Sequence, residues 1–581
     1  MKAEKIQGFW EFPGGQGRGG RVATCRVRAA VLALLWTVGP VGTSLWGQGI
    51  LEVRTPDVAK ERHAAEVASS LEGREKVGVV LPINVDVLSL ATHEMTEQGS
   101  AWRLEIHAPG AEAVCLYFDD FHLPAGAELH FETPLGAYAD VWSEGPVTSF
   151  ENNAHRRWTN NEVPGDRLVL RLTVPAGTVE QPSLHAEGVG FFVRGMHFQP
   201  PFEVPQSRGG AGECEVDIMC PEGDSWQCDK DAVVKLRITQ SGGIYFCSGA
   251  MVNNVEEDCR QLMLSAFHCA DAVAEDEWPY FKVQFNYEFF ECGGTSSINS
   301  RTRTGVIHLT DSDDMSGGQI NGSDFLLVEV EDPIDSAWHP YLAGWDATGF
   351  NGHSGVGIHH PSGDRKKVST YTSQMTTSGV YAPGAHWRVT WAATSTNHGV
   401  TETGSSGSPV FDENHHIVGT LSGGSSFCTT PYAPDYYGKM SYHWEGNNPI
   451  PEGQRLAAFL DPNGTGQKVQ HGSYITTDLD GAPSCNEWGS CEATAVEHAF
   501  LVGLVLAPNP MSDVLTVAVP AGHRVVELRM FDSLARLVAT HRPLHGEGRL
   551  EWHVPGLSSG MHYVTFTTAD GLMATRRVVV D

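Results

Sequence analysis

Residues 402 to 411 read Glu-Thr-Gly-Ser-Ser-Gly-Ser-Pro-Val-Phe, and an apolar run from Ile417 to Leu421 follows, ending in Ser422-Gly423-Gly424. A turn of small residues between two strands lets another molecule approach its backbone, and lets successive N–H groups point at one spot. That is how a reactive serine is presented. Gly-Ser-rich turns are common in loops, so the rest of the chain has to supply the chemistry around it.

Two further segments do so. Leu262-Met-Leu-Ser-Ala-Phe-His268-Cys269 is an apolar strand running into a histidine, and Asn321-Gly-Ser-Asp324-Phe-Leu-Leu-Val-Glu-Val330 sets an acid at the mouth of another apolar strand. The three residue types together are a nucleophile, a base and the group that orients the base. Their chain order, His, Asp, Ser, is that of the chymotrypsin template and not of subtilisins or α/β-hydrolases. In that template the nucleophile lies in a Gly-x-Ser-Gly-x-Pro turn, which makes Ser406 the nucleophile, His268 the general base and Asp324 its partner. The Gly404 and Ser406 N–H groups would form the oxyanion hole. Taken singly, each has a bland role: a core histidine, a strand-start cap, a turn serine.

The resemblance goes further than the fold. The runs Cys214-Glu-Val-Asp-Ile-Met-Cys220-Pro-Glu-Gly-Asp224, Ala343-Gly-Trp-Asp346, Ile358-His-His-Pro361 and Thr401 to Pro409 resemble bacterial lysyl endopeptidase over roughly residues 209 to 475. Such a resemblance implies a secreted, trypsin-like double β-barrel that cuts after lysine. A buried substrate cation needs a carboxylate opposite it, and Asp435 matches the family's specificity acid, with Ser422, Gly423 and Gly424 as further substrate-binding residues. Ser422 replaces a histidine of the family, and Val380-Tyr-Ala-Pro383 lacks its tryptophan, so lysine against arginine stays open. The mature N-terminus would be Gly209, after Arg208, and self-processing there would require acceptance of arginine, whose planar fork differs from an ammonium. Ser405 stands where animal trypsins carry the aspartate that captures a new N-terminal amine, so activation by that ion pair is not expected.

Twelve cysteines fit an oxidising compartment. Cys247 and Cys269 flank neighbouring strands and can lock the histidine loop. The resemblance also implies Cys214 with Cys428 and Cys220 with Cys292, leaving Cys228 with Cys259, and Cys485 with Cys491 as a small loop. Zinc is the rival reading, but paired Cys-x-x-Cys knuckles are lacking. His359-His360 and His415-His416 are read as structural, because adjacent residues on a strand face opposite sides. No metal or cofactor is expected. Cys115 has no evident mate and reads as a buried thiol.

Arg26-Val-Arg28 followed by Ala29 to Val38 is a basic stretch and then a short apolar one, the pattern of an export signal, too short for a convincing membrane span. The Gly- and Arg-rich residues before it suggest a start codon placed too early. Net charge is 39 minus 70, or −31, which disfavours nucleic acid and anionic membranes as partners. Residues 50–208 alternate apolar and polar between Gly and Pro turns, as a sandwich does, and read as a β-rich propeptide, or alternatively as a retained binding module.

Near the C-terminus, Pro508-Asn-Pro510, Asp513, Leu515, Val517, Leu557-Ser-Ser-Gly560, Tyr563 and the closing Arg576-Arg577-Val-Val-Val580 resemble the C-terminal sorting domain of type IX secretion. The expected organisation is therefore all-β: a signal region (1–49), the propeptide (50–208), a chymotrypsin-like double barrel (209–477), a linker with a disulfide loop (478–497) and a small sandwich for sorting (498–581). The expectation is a secreted or cell-surface monomer, exported through the periplasm of a Gram-negative bacterium, cutting proteins after Lys or Arg. The rival is an inactive surface-attached binding or adhesion protein on the same scaffold.

Overall fold

The computed structural model describes residues 49–72, 74–134, 143–194, 210–294, 300–316, 319–446, 450–477 and 483–485, and, towards the C-terminus, 505–507, 511, 513–519, 524–532, 537–543, 548–569 and 573–580. The signal region, Arg208, Gly209, Cys491 and the Pro508-Asn-Pro510 signature lie outside them.

The expected all-β architecture is what forms. One sheet contains the strands Val233–Gln240, Gly243–Met251, Leu262–Ser265, Lys282–Phe285 and Leu326–Val330. Every residue of Val233–Gln240, Gly243–Met251 and Leu262–Ser265 is buried, the signature of strands packed on both faces. A second sheet orders Lys367–Tyr371, Gly355–His359, Pro409–Asp412, His416–Gly424, Asp435–Lys439, His386–Val389 and Thr376–Ser378. These are the two barrels, and one continuous apolar core, from Val233 through Trp345 to Trp444, joins residues of both.

The N-terminal region is a sandwich, with Gly99–His107, Arg167–Pro175 and Glu128–Glu132 in one sheet and Ser183–Phe192 with Ala113–His122 in the other. Leu104, Phe118, Phe131 and Trp158 fill its core. Two features depart from the sequence reading. A helix, Val58–Glu72, follows a first short strand, Ile50–Glu52, its face too weakly apolar to stand out from a loop. The strand Glu75–Asp86 then pairs on one side with Ser183–Phe192 and on the other with Gly243–Met251, so the sandwich and the first barrel share a sheet of twelve strands among the described residues.

The C-terminal strands Val525–Asp532, Gly560–Thr568 and Met573–Val580 form an antiparallel sheet with Leu537–His541. Val514–Ala518 and Arg549–His553 belong to a facing sheet, and Leu515, Trp552, Val564, Phe566 and Val578 pack between the two.

Three bridges form as expected: Cys214–Cys428, Cys220–Cys292 and Cys247–Cys269. The expected Cys228–Cys259 and Cys485–Cys491 pairs do not. Cys259 bonds Cys485 across 226 residues of sequence, because Pro483–Ser484 pairs with Thr476–Thr477 and carries Cys485 back against the first barrel. Cys228 is also disulfide-bonded. Cys115 is a buried free thiol, which burial pushes above its usual range.

Candidate active site

His268 sits in a single turn, Phe267–Cys269, directly after the Leu262–Ser265 strand, so a strand buried on both faces fixes its backbone. Asp324 lies two residues before the Leu326–Val330 strand, which pairs with Leu262–Ser265, Ser265 lying opposite Leu326. The Asp324 carboxylate accepts from the His268 backbone N–H at 2.8 Å and meets the ring Nδ1 at 2.8 Å. An ionised carboxylate only accepts, so in a neutral ring this contact selects the tautomer with the proton on Nδ1 and the lone pair on Nε2. Asp324 itself is in the left-handed region, φ 60°. Its own N–H donates to the Asp314 carboxylate at 2.8 Å. Burial, then the neighbouring Asp324 charge, pushes Asp314 up to about 6.

The turn 402–408 hangs on the first barrel. Ser248 N–H donates to the Ser406 carbonyl at 2.8 Å, and Ser248 Oγ donates to the Gly404 carbonyl at 2.9 Å. Cys269 Sγ lies 3.7 Å from the Ser406 carbonyl oxygen, bringing the His268 turn against the Ser406 turn. Gly404 has φ 92°, and a Cβ there would lie 3.0 to 3.1 Å from Gly363 N, His360 O and Ser362 N, so no side chain fits without strain.

Ser405 is held by a neutral chain of hydrogen bonds that only the fold brings together. Ser369 Oγ donates to the Val400 carbonyl at 2.7 Å and therefore accepts from His359 Nε2 at 3.1 Å. His359 Nδ1 then accepts from the Ser405 hydroxyl at 2.8 Å, and that hydroxyl accepts from Glu402 N–H at 3.2 Å. Burial, with the Lys367 charge, lowers His359 to about 3, so the imidazole is neutral.

Asp435 is fully buried at the start of Asp435–Lys439, opposite Gly424 and Val389. Its Oδ2 accepts from Trp391 Nε1 at 2.6 Å, Thr401 Oγ1 at 2.7 Å and Ser426 Oγ at 2.5 Å. Its Oδ1 accepts from Ser426 N–H at 3.1 Å and faces Gly424, where a Cβ would lie 1.8 Å from it. Burial pushes this carboxyl above its usual range, against the pull of Ser426, Trp391 and Thr401. Both oxygens are thus held, Oδ2 by three donors and Oδ1 by one, and the carboxylate packs against Gly424, where no side chain fits. Ser422 is buried and meets His386 Nε2 at 3.0 Å; burial lowers His386 to about 4. Tyr381, in the segment lacking the family's tryptophan, lies 4.9 Å from the His386 ring.

Trp391, Ser426 and Asp314 escape sequence reading because nothing local distinguishes them. His359-His360 reads as structural in the sequence, and both rings are buried. His415 Nδ1 meets Asp229 at 2.6 Å, and His416 Nε2 meets His471 at 3.2 Å.

Residues 208–438 match the family model described as "Lysyl endopeptidase, C-terminal domain", and residues 505–581 match "Secretion system C-terminal sorting domain". A lysyl endopeptidase of Pseudomonas aeruginosa is 29% identical over 420 residues, covering 66% of this chain and 83% of that protein. Among solved structures, a thermostable serine protease AL20 from an extremophilic microorganism aligns at 14% identity and TM-score 0.26, over 37% of this chain and 93% of its own. The protease Anisep of Arthrobacter nicotinovorans aligns at 18% identity and TM-score 0.27, over 36% of this chain and 90% of its own.

Proposed function

We propose that this chain, a serine endopeptidase similar to the lysyl endopeptidases and fitted with a type IX secretion sorting domain, cuts proteins after lysine or arginine through His268, Asp324 and Ser406. The sorting domain makes it a secreted or cell-surface protein, with the secretion machinery and protein substrates as partners. The observation that carries the catalytic reading is the double grip of Asp324 on His268, at backbone N–H and ring Nδ1, both at 2.8 Å.

In this reading His268 Nε2 takes the Ser406 hydroxyl proton as the oxygen attacks the scissile carbonyl. Asp324 holds the tautomer and stabilises the imidazolium. Gly404 and Ser406 N–H groups receive the oxyanion, one such donor being worth about 3 kcal/mol. The imidazolium protonates the leaving amine, an acyl-enzyme remains, and water repeats the sequence in reverse. Asp435 Oδ1 faces the substrate cation. Support for lysine comes from the relative's name, and support for arginine from Arg208 at the expected processing site. Residues 50–208 act as a propeptide, removed between Arg208 and Gly209.

The test is hydrolysis of matched Lys- and Arg-ending chromogenic peptides by the chain without its export signal, processed after Arg208, beside Ser406→Ala. Turnover that the variant abolishes supports the triad, and the Lys to Arg ratio defines the pocket. Equal silence of both proteins would overturn it in favour of a binding protein on a peptidase scaffold.

A further inference from the structure

The outer end of the Gly243–Met251 strand lies beside the nucleophile. Ser248 in that strand donates to the Ser406 carbonyl, and Phe246 is two residues, roughly 7 Å, further along. The backbone of residues 243–246 is taken up by the N-terminal region: Glu75 lies opposite Phe246, Lys76 opposite Tyr245, Gly78 opposite Ile244 and Val79 opposite Gly243. The added strand runs antiparallel, so its Arg74 end points at the catalytic turn.

The side chains at that end bind as a ligand would. Arg74 Nη1 donates to the His268 carbonyl and to Asp271 Oδ1, each at 2.5 Å, and its guanidinium lies 4.7 Å from the centre of the Tyr245 ring. Lys76 Nζ is 5.8 Å from the same ring, as alternation along a strand requires for residues two apart. Glu75 faces the other way, where Thr403 Oγ1 donates to its carboxylate and Arg194 pairs with it. Thr403 is the residue before Gly404. The start of one strand, with the arginine just before it, thus grips both the histidine turn and the nucleophile turn.

Resting on the peptidase reading above, in which residues 243–246 border the leaving-group side of the cleft, we propose that Asp271, the His268 carbonyl and the Tyr245 ring select a basic side chain there and that the chain's own N-terminal strand competes for the same place. The site takes an extended strand bearing a basic side chain, and residues 74–79 of this chain occupy it before processing. Main-chain pairing supplies sequence-tolerant affinity, and Asp271 with Tyr245 supplies the choice of side chain. A substrate whose leaving half pairs with residues 243–246 cannot bind while residues 75–79 are there. Asp271 is therefore a specificity residue of the site, and the N-terminal strand is a competitor for it.

The test uses the chain kept in one piece by Arg208→Gln. Arg74→Glu, with Arg74→Ala as the milder variant, is expected to raise hydrolysis of a protein substrate at least tenfold over the parent. In processed enzyme, peptides carrying Arg or Ala at each of the first three positions past the scissile bond are compared. An Arg preference of fivefold or more at one position, falling to about one in Asp271→Asn, supports the site, since a general defect would lower both peptides together. No Arg preference and no gain from either Arg74 variant would overturn it. Hydrogen exchange in the Ser406→Ala chain reads occupancy without turnover. Amides 243–246 that are protected there and open on Arg74→Glu keep the strand site even if no peptide is ever cut, whereas equal exchange in both would remove it.

Discussion

Trp391 Nε1 donates to Asp435 Oδ2 at 2.6 Å, from inside the wall of the second barrel. An indole N–H can only donate, so this contact fixes Oδ2 as an acceptor, while Oδ1 accepts from Ser426 N–H and keeps a second lone pair. Asp435→Asn keeps the shape and removes the charge. A substrate cation buried against a neutral amide costs about 3 to 5 kcal/mol, so kcat/KM on Lys and Arg peptides is expected to fall a hundredfold or more. Trp391→Phe, which removes one donor, is expected to cost about tenfold. Matched peptide kinetics decide both, and an unchanged Asp435→Asn would move the specificity site elsewhere.

The His359 to Ser405 hydrogen bond positions the residue just before Ser406. Loss of the imidazole leaves the buried Ser405 hydroxyl short of a partner, worth about 1 to 3 kcal/mol. His359→Ala is expected to lower kcat about ten- to a hundredfold while KM barely moves, and His359→Asn should recover part of it. Because His359 is held neutral down to about 3, its contribution should be flat between pH 5 and 8. A KM effect alone would show that it shapes the pocket instead.

Asp314 supplies a pH signature of stability. Folding raises its pKa from 3.8 to about 6, through burial and then the Asp324 charge. Between those values the folded chain holds more protons than the unfolded one, so this group's contribution declines as pH rises from about 4 to about 6. The size is on the order of 3 kcal/mol. Denaturant midpoints at pH 4 and pH 7 should show the parent losing that much relative to Asp314→Asn. A constant difference between the two proteins would refute it.

The Cys259–Cys485 bridge ties the linker to the first barrel. Cys485→Ser is expected to lower stability by about 2 to 5 kcal/mol, read as a fall in Tm. It should also open the 476–485 segment to proteolysis while leaving peptide turnover intact. A Tm equal to that of the parent would show the bridge to be dispensable.

Much of this was legible in residue order. The apolar strand before His268, the acid before Phe325 and the glycines around Ser406 each carry a local demand of the chemistry, and strand periodicity marks both sandwiches. The helix Val58–Glu72 was not legible, since Lys, Glu and Ser residues interrupt its apolar face.

What the sequence determined by itself is the set of candidate groups: His268, Asp324, Ser406 in its small-residue turn, and Asp435. These are local, because strand patterning and turn chemistry act over a few neighbouring residues. Tertiary structure decided the rest: that Trp391, Thr401 and Ser426 converge on Asp435, that Cys485 returns to Cys259, and that Arg74 reaches His268. The physical reason is that sheet pairing and burial bring together residues tens to hundreds of positions apart, and backbone pairing at a sheet edge leaves almost no mark on the residues that make it.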